Sequence, residues 1–224
     1  MDLTWHWNIL RILFLKGFIP TVKLVPIAMF LALLVGVVGG SLRVLRIPVL
    51  NHLLGIYAYV MRGVPTILLM FICYFVLPTG RNPMNAAILA LVLSNGAYMM
   101  EIVRGGLEAI DRGQHDAAKA VAMNFWQSIR YIILPQAVLL VLPALVGQLV
   151  LLITVTALAS VIGYVELTKM ALNLNGSTMS PLPIFFYSGC FYFVVCHSLK
   201  WVADRCERIT KERIMGKAPI HGLA

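Results

Sequence analysis

Gly113-Gln114-His115-Asp116-Ala117-Ala118-Lys119-Ala120-Val121-Ala122-Met123-Asn124 is a polar, alanine-rich run inside a chain that is otherwise apolar. It lies in the middle of Glu101 to Arg130, a stretch with four acids (Glu101, Glu108, Asp111, Asp116) and four bases (Arg104, Arg112, Lys119, Arg130). The run is rich in strong helix formers yet too polar to enter lipid. Phe125, Trp126, Ile129 and Ile133 continue at helical spacing toward Leu134-Pro135. A short helix, a turn near Asn124 and a second short helix are expected. A small-residue face (Ala117, Ala118, Ala120, Ala122) lets another backbone approach closely, and Asp116 supplies a charge for orientation. Such a segment suits docking, although a charged loop of this kind is more often a solvated face.

Outward from this run the chain belongs to a bilayer. Of its 224 residues 60% are hydrophobic and only 12% charged, and mean hydropathy is +0.88, which excludes an ordinary soluble domain. About 20 apolar residues of helix cross the ~30 Å hydrocarbon core, so charge-free stretches mark the spans. Nineteen uncharged residues separate Lys23 from Arg43, 18 separate Arg62 from Arg81, and 19 separate Arg81 from Glu101. Arg130 to Glu166 encloses 35 and Lys169 to Lys200 encloses 30, each read as one span plus irregular or re-entrant chain. The second span can begin earlier, at 47–61, with Pro48, Gly55 and Gly63 as loop or kink positions in a bent element. The expected fold is all-α with five membrane-spanning helices.

Thirteen of the 18 Lys and Arg residues then fall on one face and five (Arg11, Lys16, Lys23, Arg81, Lys169) on the other. The first face is expected to be cytoplasmic, with the N-terminus outside and the C-terminus inside. Residues 1–18 have the spacing of an external amphipathic helix lying on the membrane surface, or of an extension of the first span. Residues 209–224 read as a basic cytoplasmic tail near anionic lipid, disordered beyond about Ile214. No cleaved signal peptide is expected, since Met1 to Asn8 carry no basic region. Cys73, Cys190, Cys196 and Cys206 form no Cys-x-x-Cys pair, and the five histidines are scattered, so neither a disulfide framework nor a metal site is expected. Gly216-Lys217 is the one Gly-Lys pair and Lys211 stands where a P-loop would begin, so this chain has no nucleotide site of its own.

The run Gly113-Gln114-x-Asp116-Ala117-Ala118-x-Ala120-x-Ala122-Met123, then Gln127, then Ile132-Ile133-Leu134-Pro135-Gln136-Ala137, resembles the EAA loop of ABC-importer permeases, in the version of the polar amino acid uptake family. Gly17-x-x-x-Thr21, Arg62-Gly63-Val64-Pro65-Thr66, the stretch Ala97 to Gly106 and the stretch Ser160 to Thr168 agree in order. Asp116 stands where that family usually has Glu, and Ala122 where it usually has Gly. Thr154-Val155-Thr156-Ala157-Leu158 replaces a stretch of the Lys-Asp-Thr-Ser-Leu type, which disfavours a cationic substrate.

The resemblance implies a type I (MetI-like) permease domain over 19–208 with a cytoplasmic coupling loop at 105–136. It implies a second permease subunit, identical or homologous, a dimer of ABC ATPase subunits that binds ATP and Mg, and an extracytoplasmic amino-acid-binding protein. The chain would be a non-enzymatic bacterial inner-membrane transport subunit. Gln114, Asp116, Ala117, Ala118, Ala122 and Met123 would meet the ATPase. For the substrate pathway the candidates are Asn95, Tyr98, Met99 and Thr156, with Ser94 and Gln148 behind them, because polar groups within spans face the bundle interior or water. Ordinary interhelical hydrogen bonding is the competing reading of each, and Glu101 with Arg104 reads as a local surface pair. A secondary transporter and a non-transporting regulatory or assembly subunit are the alternative functions.

Overall fold

The computed structural model describes residues 2–215. Every regular element among them is helical, in the order α1 (Leu3–Val44), α2 (Pro48–Gly63), α3 (Thr66–Phe75), α4 (Pro83–Glu108), α5 (Arg112–Ala120), α6 (Phe125–Ile162), α7 (Leu167–Thr178) and α8 (Pro181–Met215). Helices α1, α4, α6 and α8 are each long and apolar enough to cross a bilayer. The remaining expected crossing, second in chain order, corresponds to the pair α2 and α3, bent by 105°. The break has a local cause. Pro65 disfavours the α conformation at the residue before it, and Val64 accordingly adopts φ −83°, ψ 128°. The charge-free stretch after Arg62 therefore yields only the ten residues of α3, about 15 Å of helix. A crossing needs α2 as well.

Two spans widen by a π turn just upstream of a proline: Leu13–Phe18 before Pro20 in α1, and Ile129–Ile133 before Pro135 in α6. Proline lacks an N–H and its ring crowds the carbonyl four residues back, and an extra residue in the preceding turn accommodates both. Consequently residues 3–18 are helical and run without a break into the residues that follow. Helix α1 runs for 42 residues, about 63 Å. Its first turns pack Ile9 and Leu13 against Leu167, Ala171 and Ile184, and His6 Nδ1 lies 2.8 Å from the Tyr187 hydroxyl. Similarly, the second short helix expected after Asn124 is continuous with the fourth span. The irregular or re-entrant chain expected between the fourth and fifth spans contains a 12-residue helix, α7. Residues 209–215 of the basic tail continue α8, and 216–224 lie outside the described residues.

Helix α4 is the most enclosed span, with α1 packed along it and α2, α3 and α6 around it. Small residues set the closeness of α1 and α4. A Cβ added to Gly40 would sit 2.7 Å from the Met100 carbonyl oxygen and 2.8 Å from Val103 Cβ, inside van der Waals contact. Gly36 and Gly39 face Met99 and Met100 in the same way. The core continues through Leu24, Ala28, Met70, Ala90, Leu91 and Leu152. Outward-facing Phe30, Leu34, Leu140, Phe186 and Phe193 are exposed, as suits helices solvated by lipid rather than water.

Candidate coupling site and interhelical polar groups

The polar run stands as helix α5 between the ends of α4 and α6, and its boundaries are set by side chains it carries itself. Asp111 is the N-cap, its Oδ1 accepting from the Gly113 amide at 2.6 Å. At the other end the Met123 amide donates to the Ala118 carbonyl at 3.0 Å and the Ala122 amide to that of Lys119 at 2.9 Å. This is a Schellman pair, whose C′ position needs a left-handed residue. Ala122 fills it at φ +55°, a conformation that glycine adopts without steric cost. Asn124 then opens α6 with a capping box: its Oδ1 accepts from the Gln127 amide and Gln127 Oε1 from the Asn124 amide, both at 2.9 Å.

Gln114, Asp116, Ala117 and Ala122 are exposed, Met123 half-buried and Ala118 buried. The small-residue face is thus split: Ala118 faces inward while its neighbours Ala117 and Ala120 present a surface to solvent. Asp116 reaches Lys119 at 3.4 Å with both side chains more than two-thirds exposed, a screened pair of little energetic value. Gln114 makes a contact that links helices. Its Oε1 accepts from Gln136 Nε2 at 3.1 Å, and the same nitrogen donates to the Ile132 carbonyl at 2.9 Å. Beneath α5, Ile110, Ile133 and Ala137 form a small apolar cluster. The helix is seated on the start of α6.

The four pathway candidates occupy different places. Asn95 is buried, donates to the Leu91 carbonyl at 3.0 Å, and accepts from Gln148 Nε2 of α6 at 2.8 Å. Met99 is buried beside Gly36. Tyr98 points the other way, is 38% exposed, and donates to the Arg62 carbonyl at 3.3 Å with the guanidinium over its ring. Thr156 is buried at the other end of α6, donating to the Ile153 carbonyl at 2.6 Å and lying beside Tyr192. Asn95 and Met99 therefore share the α1–α4–α6 interior, and Tyr98 and Thr156 do not join them. Beside Gly96, Val35 of α1 and the Tyr57 hydroxyl of α2 make the close approach.

Two polar clusters were legible only in part. Glu166, the lone acid between Arg130 and Asp204, is fully buried and caps α7. It accepts from the Thr168 amide at 2.8 Å, the Lys169 amide at 2.7 Å and the Tyr192 hydroxyl at 2.7 Å. Burial pushes its carboxyl above the usual carboxylate range, and these hydrogen bonds offset part of that rise. Burial, with the Glu166 charge adding to it, also raises the Tyr164 phenol, whose hydroxyl donates to the Pro20 carbonyl. An acid isolated in an apolar chain is the sequence signal that points to such a site. The second cluster extends the expected Glu101–Arg104 pair: Arg43 of α1 donates to Glu101, and Arg104 bonds Glu101 at 2.8 Å and Glu108 at 2.5 Å. No local spacing reveals Arg43, 58 residues away.

Comparison with known proteins places this geometry. The family described as binding-protein-dependent transport system inner membrane component matches residues 29–211. The chain belongs to that family. This inner membrane component is 34% identical over 197 residues to the probable glutamine ABC transporter permease protein GlnP of Bacillus subtilis (strain 168), covering 85% of this chain and 90% of that one. It is 31% identical over 216 residues to the arginine transport system permease protein ArtQ of the same organism, covering 94% and 99%. Among solved structures it resembles an amino acid ABC transporter crystallised with histidines, at a TM-score of 0.78 and 29% identity, covering 93% and 98%. It shares its fold with the inward-facing MetNI methionine ABC transporter, at a TM-score of 0.75 and 18% identity, covering 94% and 99%. The inner membrane component is therefore a multi-pass membrane transport protein with the all-helical fold expected of it.

Proposed function

We propose that this chain is the permease subunit of an ATP-binding-cassette importer carrying a polar amino acid or close analogue, driven by separate ATPase subunits that bind ATP and Mg. The names of the glutamine and arginine permeases that resemble it support the substrate class. The observation that carries the mechanism is α5, a solvent-exposed helix capped at both ends and seated on α6 through Gln114 and Gln136. A helix fixed in this way transmits a push, whereas a loose loop would absorb it. ATP-driven closure of the ATPase pair moves α5 as a rigid plug, and α4 and α6, joined directly to its two ends, swing with it.

Orientation follows the charge bias, with α5 cytoplasmic, the N-terminus outside and α7 on the side of the binding protein. A second permease subunit, identical or homologous, packs on the apolar stripe Val49, Leu53, Ile56 and Val60 of α2, all exposed in the single chain. The pathway runs past Asn95 and Met99, with Tyr98 and Thr156 at separate stations along it.

The test is reconstitution in liposomes with the ATPase and binding protein, assaying uptake of radiolabelled glutamine and arginine first. Asp116→Lys is expected to abolish both substrate-stimulated ATP hydrolysis and uptake. Persistence of both would remove Asp116 from coupling. Uptake in liposomes without any ATPase would replace this reading with a secondary transporter.

A further inference from the structure

We infer that Arg43 is a positioning residue for coupling, which clamps the α5-proximal ends of α1 and α4 so that the two helices follow α5 as one body. This rests on the coupling role proposed for α5. Arg43 donates through Nη1 to Glu101 Oε1 on α4 and through Nε to Asn51 Oδ1 on α2, the latter at 3.3 Å. Three helices thus meet at one guanidinium. The Arg43 and Glu101 side chains are only 15% and 19% exposed, so solvent screens this pair far less than the Asp116–Lys119 pair on α5. The second carboxylate oxygen of Glu101 holds Arg104 through Nε at 3.1 Å and Nη2 at 2.8 Å. Arg104 in turn holds Glu108 in the last turn of α4.

Position gives the cluster its role. Only Ala109, Ile110 and Asp111 separate α4 from α5, so a displacement of α5 reaches the end of α4 first. Helix α1 has no covalent link to α5 nearby. Gly36 and Gly40 hold it against Met99, Met100 and Val103 by packing alone, and Arg43 continues that seam one turn further. Without the clamp, the end of α4 can move while α1 slips. Loss of Arg43 leaves Glu101 paired with Arg104, so no carboxylate is stranded and the fold is expected to survive.

Arg43→Met and Arg43→Lys are made in the full chain, in complex with its ATPase and binding protein. Two quantities are read: radiolabelled glutamine or arginine transported per ATP hydrolysed, and hydrogen exchange of the backbone over 40–47. For Arg43→Met, transport per ATP should fall by about fivefold or more while basal hydrolysis persists. Exchange over 40–47 should rise. Arg43→Lys keeps the charge without the planar fork and should recover part of both. Unchanged exchange overturns the clamp. Raised exchange with an unchanged ratio overturns its coupling role, and so does a parallel fall of transport and hydrolysis, which marks a merely structural residue. A wild-type complex lacking ATP-driven uptake would sink the proposed function and the coupling role with it, while exchange still reports whether Arg43 ties the helices.

Discussion

Ala122→Gly should stabilise the end of α5. Ala122 sits at φ +55° with its amide bonded to Lys119 and the next amide bonded to Ala118, and both bonds depend on that left-handed residue. For a residue carrying a Cβ, the left-handed conformation costs about 1–2 kcal/mol. Glycine removes that cost but leaves the unfolded chain freer, which returns about 0.5–1 kcal/mol. The net gain lies between about 0 and 1.5 kcal/mol with a midpoint of about 0.75 kcal/mol, roughly a three- to fourfold shift in the local opening equilibrium. Hydrogen exchange of a peptide spanning 112–124, measured on the chain in nanodiscs, reads that shift as slower exchange at Ala122 and Met123. Ala117→Gly is the internal control, because the same change in the helical part of α5 costs about 0.8–1 kcal/mol and speeds exchange. Opposite signs at the two sites are the expected result. Faster exchange in Ala122→Gly, or equal effects at both sites, would refute the account of the turn.

Glu166→Ala leaves two amides and the Tyr192 hydroxyl without their acceptor and should destabilise the chain by about 2–4 kcal/mol, measured as thermal unfolding in detergent. Glu166→Gln keeps an acceptor and isolates the charge. The carboxyl is raised in the fold, so its contribution is greatest below the ordinary carboxylate range and declines as pH rises through the folded value. Wild type should gain thermal stability relative to Glu166→Gln as pH falls from the alkaline side toward the ordinary carboxylate value of about 4.3, and parallel pH profiles would contradict this. Gly36→Val drives a side chain into Met99 and should cost about 1–3 kcal/mol or more, seen as loss of the monodisperse peak in size-exclusion chromatography. Asn95→Leu and Gln148→Leu should each destabilise α4 against α6, with a coupling energy of about 0.6–1.7 kcal/mol in a double-mutant cycle. Additive effects would mean that the 2.8 Å contact between them contributes nothing.

Much of the polar segment around α5 is legible because its determinants are local. Asp111 caps, Asn124 and Gln127 make a box across three residues, and the polarity of Gln114 to Ala122 keeps α5 out of lipid. The candidate pathway residues were legible only as types. Polarity within a span announces that Asn95, Tyr98 and Thr156 need partners, but whether a partner is Gln148, a backbone carbonyl or Tyr192 depends on helix rotation. Helix α7 carries no strong start signal, because its cap, Glu166, is a residue type that seldom marks a helix start even though it accepts from the Thr168 and Lys169 amides here. A bent element was expected with Pro48, Gly55 or Gly63 as its kink, but Pro48 opens α2, Gly55 lies inside it, and the break falls just past Gly63 at Val64-Pro65, where proline acts on its immediate neighbour.

Charge-free lengths and the polarity of Gln114 to Ala122 determined by themselves that this chain is helical with four to five apolar spans and carries one polar helix between two of them. These are properties of neighbours along the backbone, and hydrocarbon permits few alternatives to a helix. Tertiary structure alone decided that Arg43 meets Glu101, that Gly40 receives Val103, and that Ile9 and Leu13 pack against Leu167 and Ala171. Each depends on which faces of distant helices turn toward one another, and that is set by side-chain packing summed over the whole bundle.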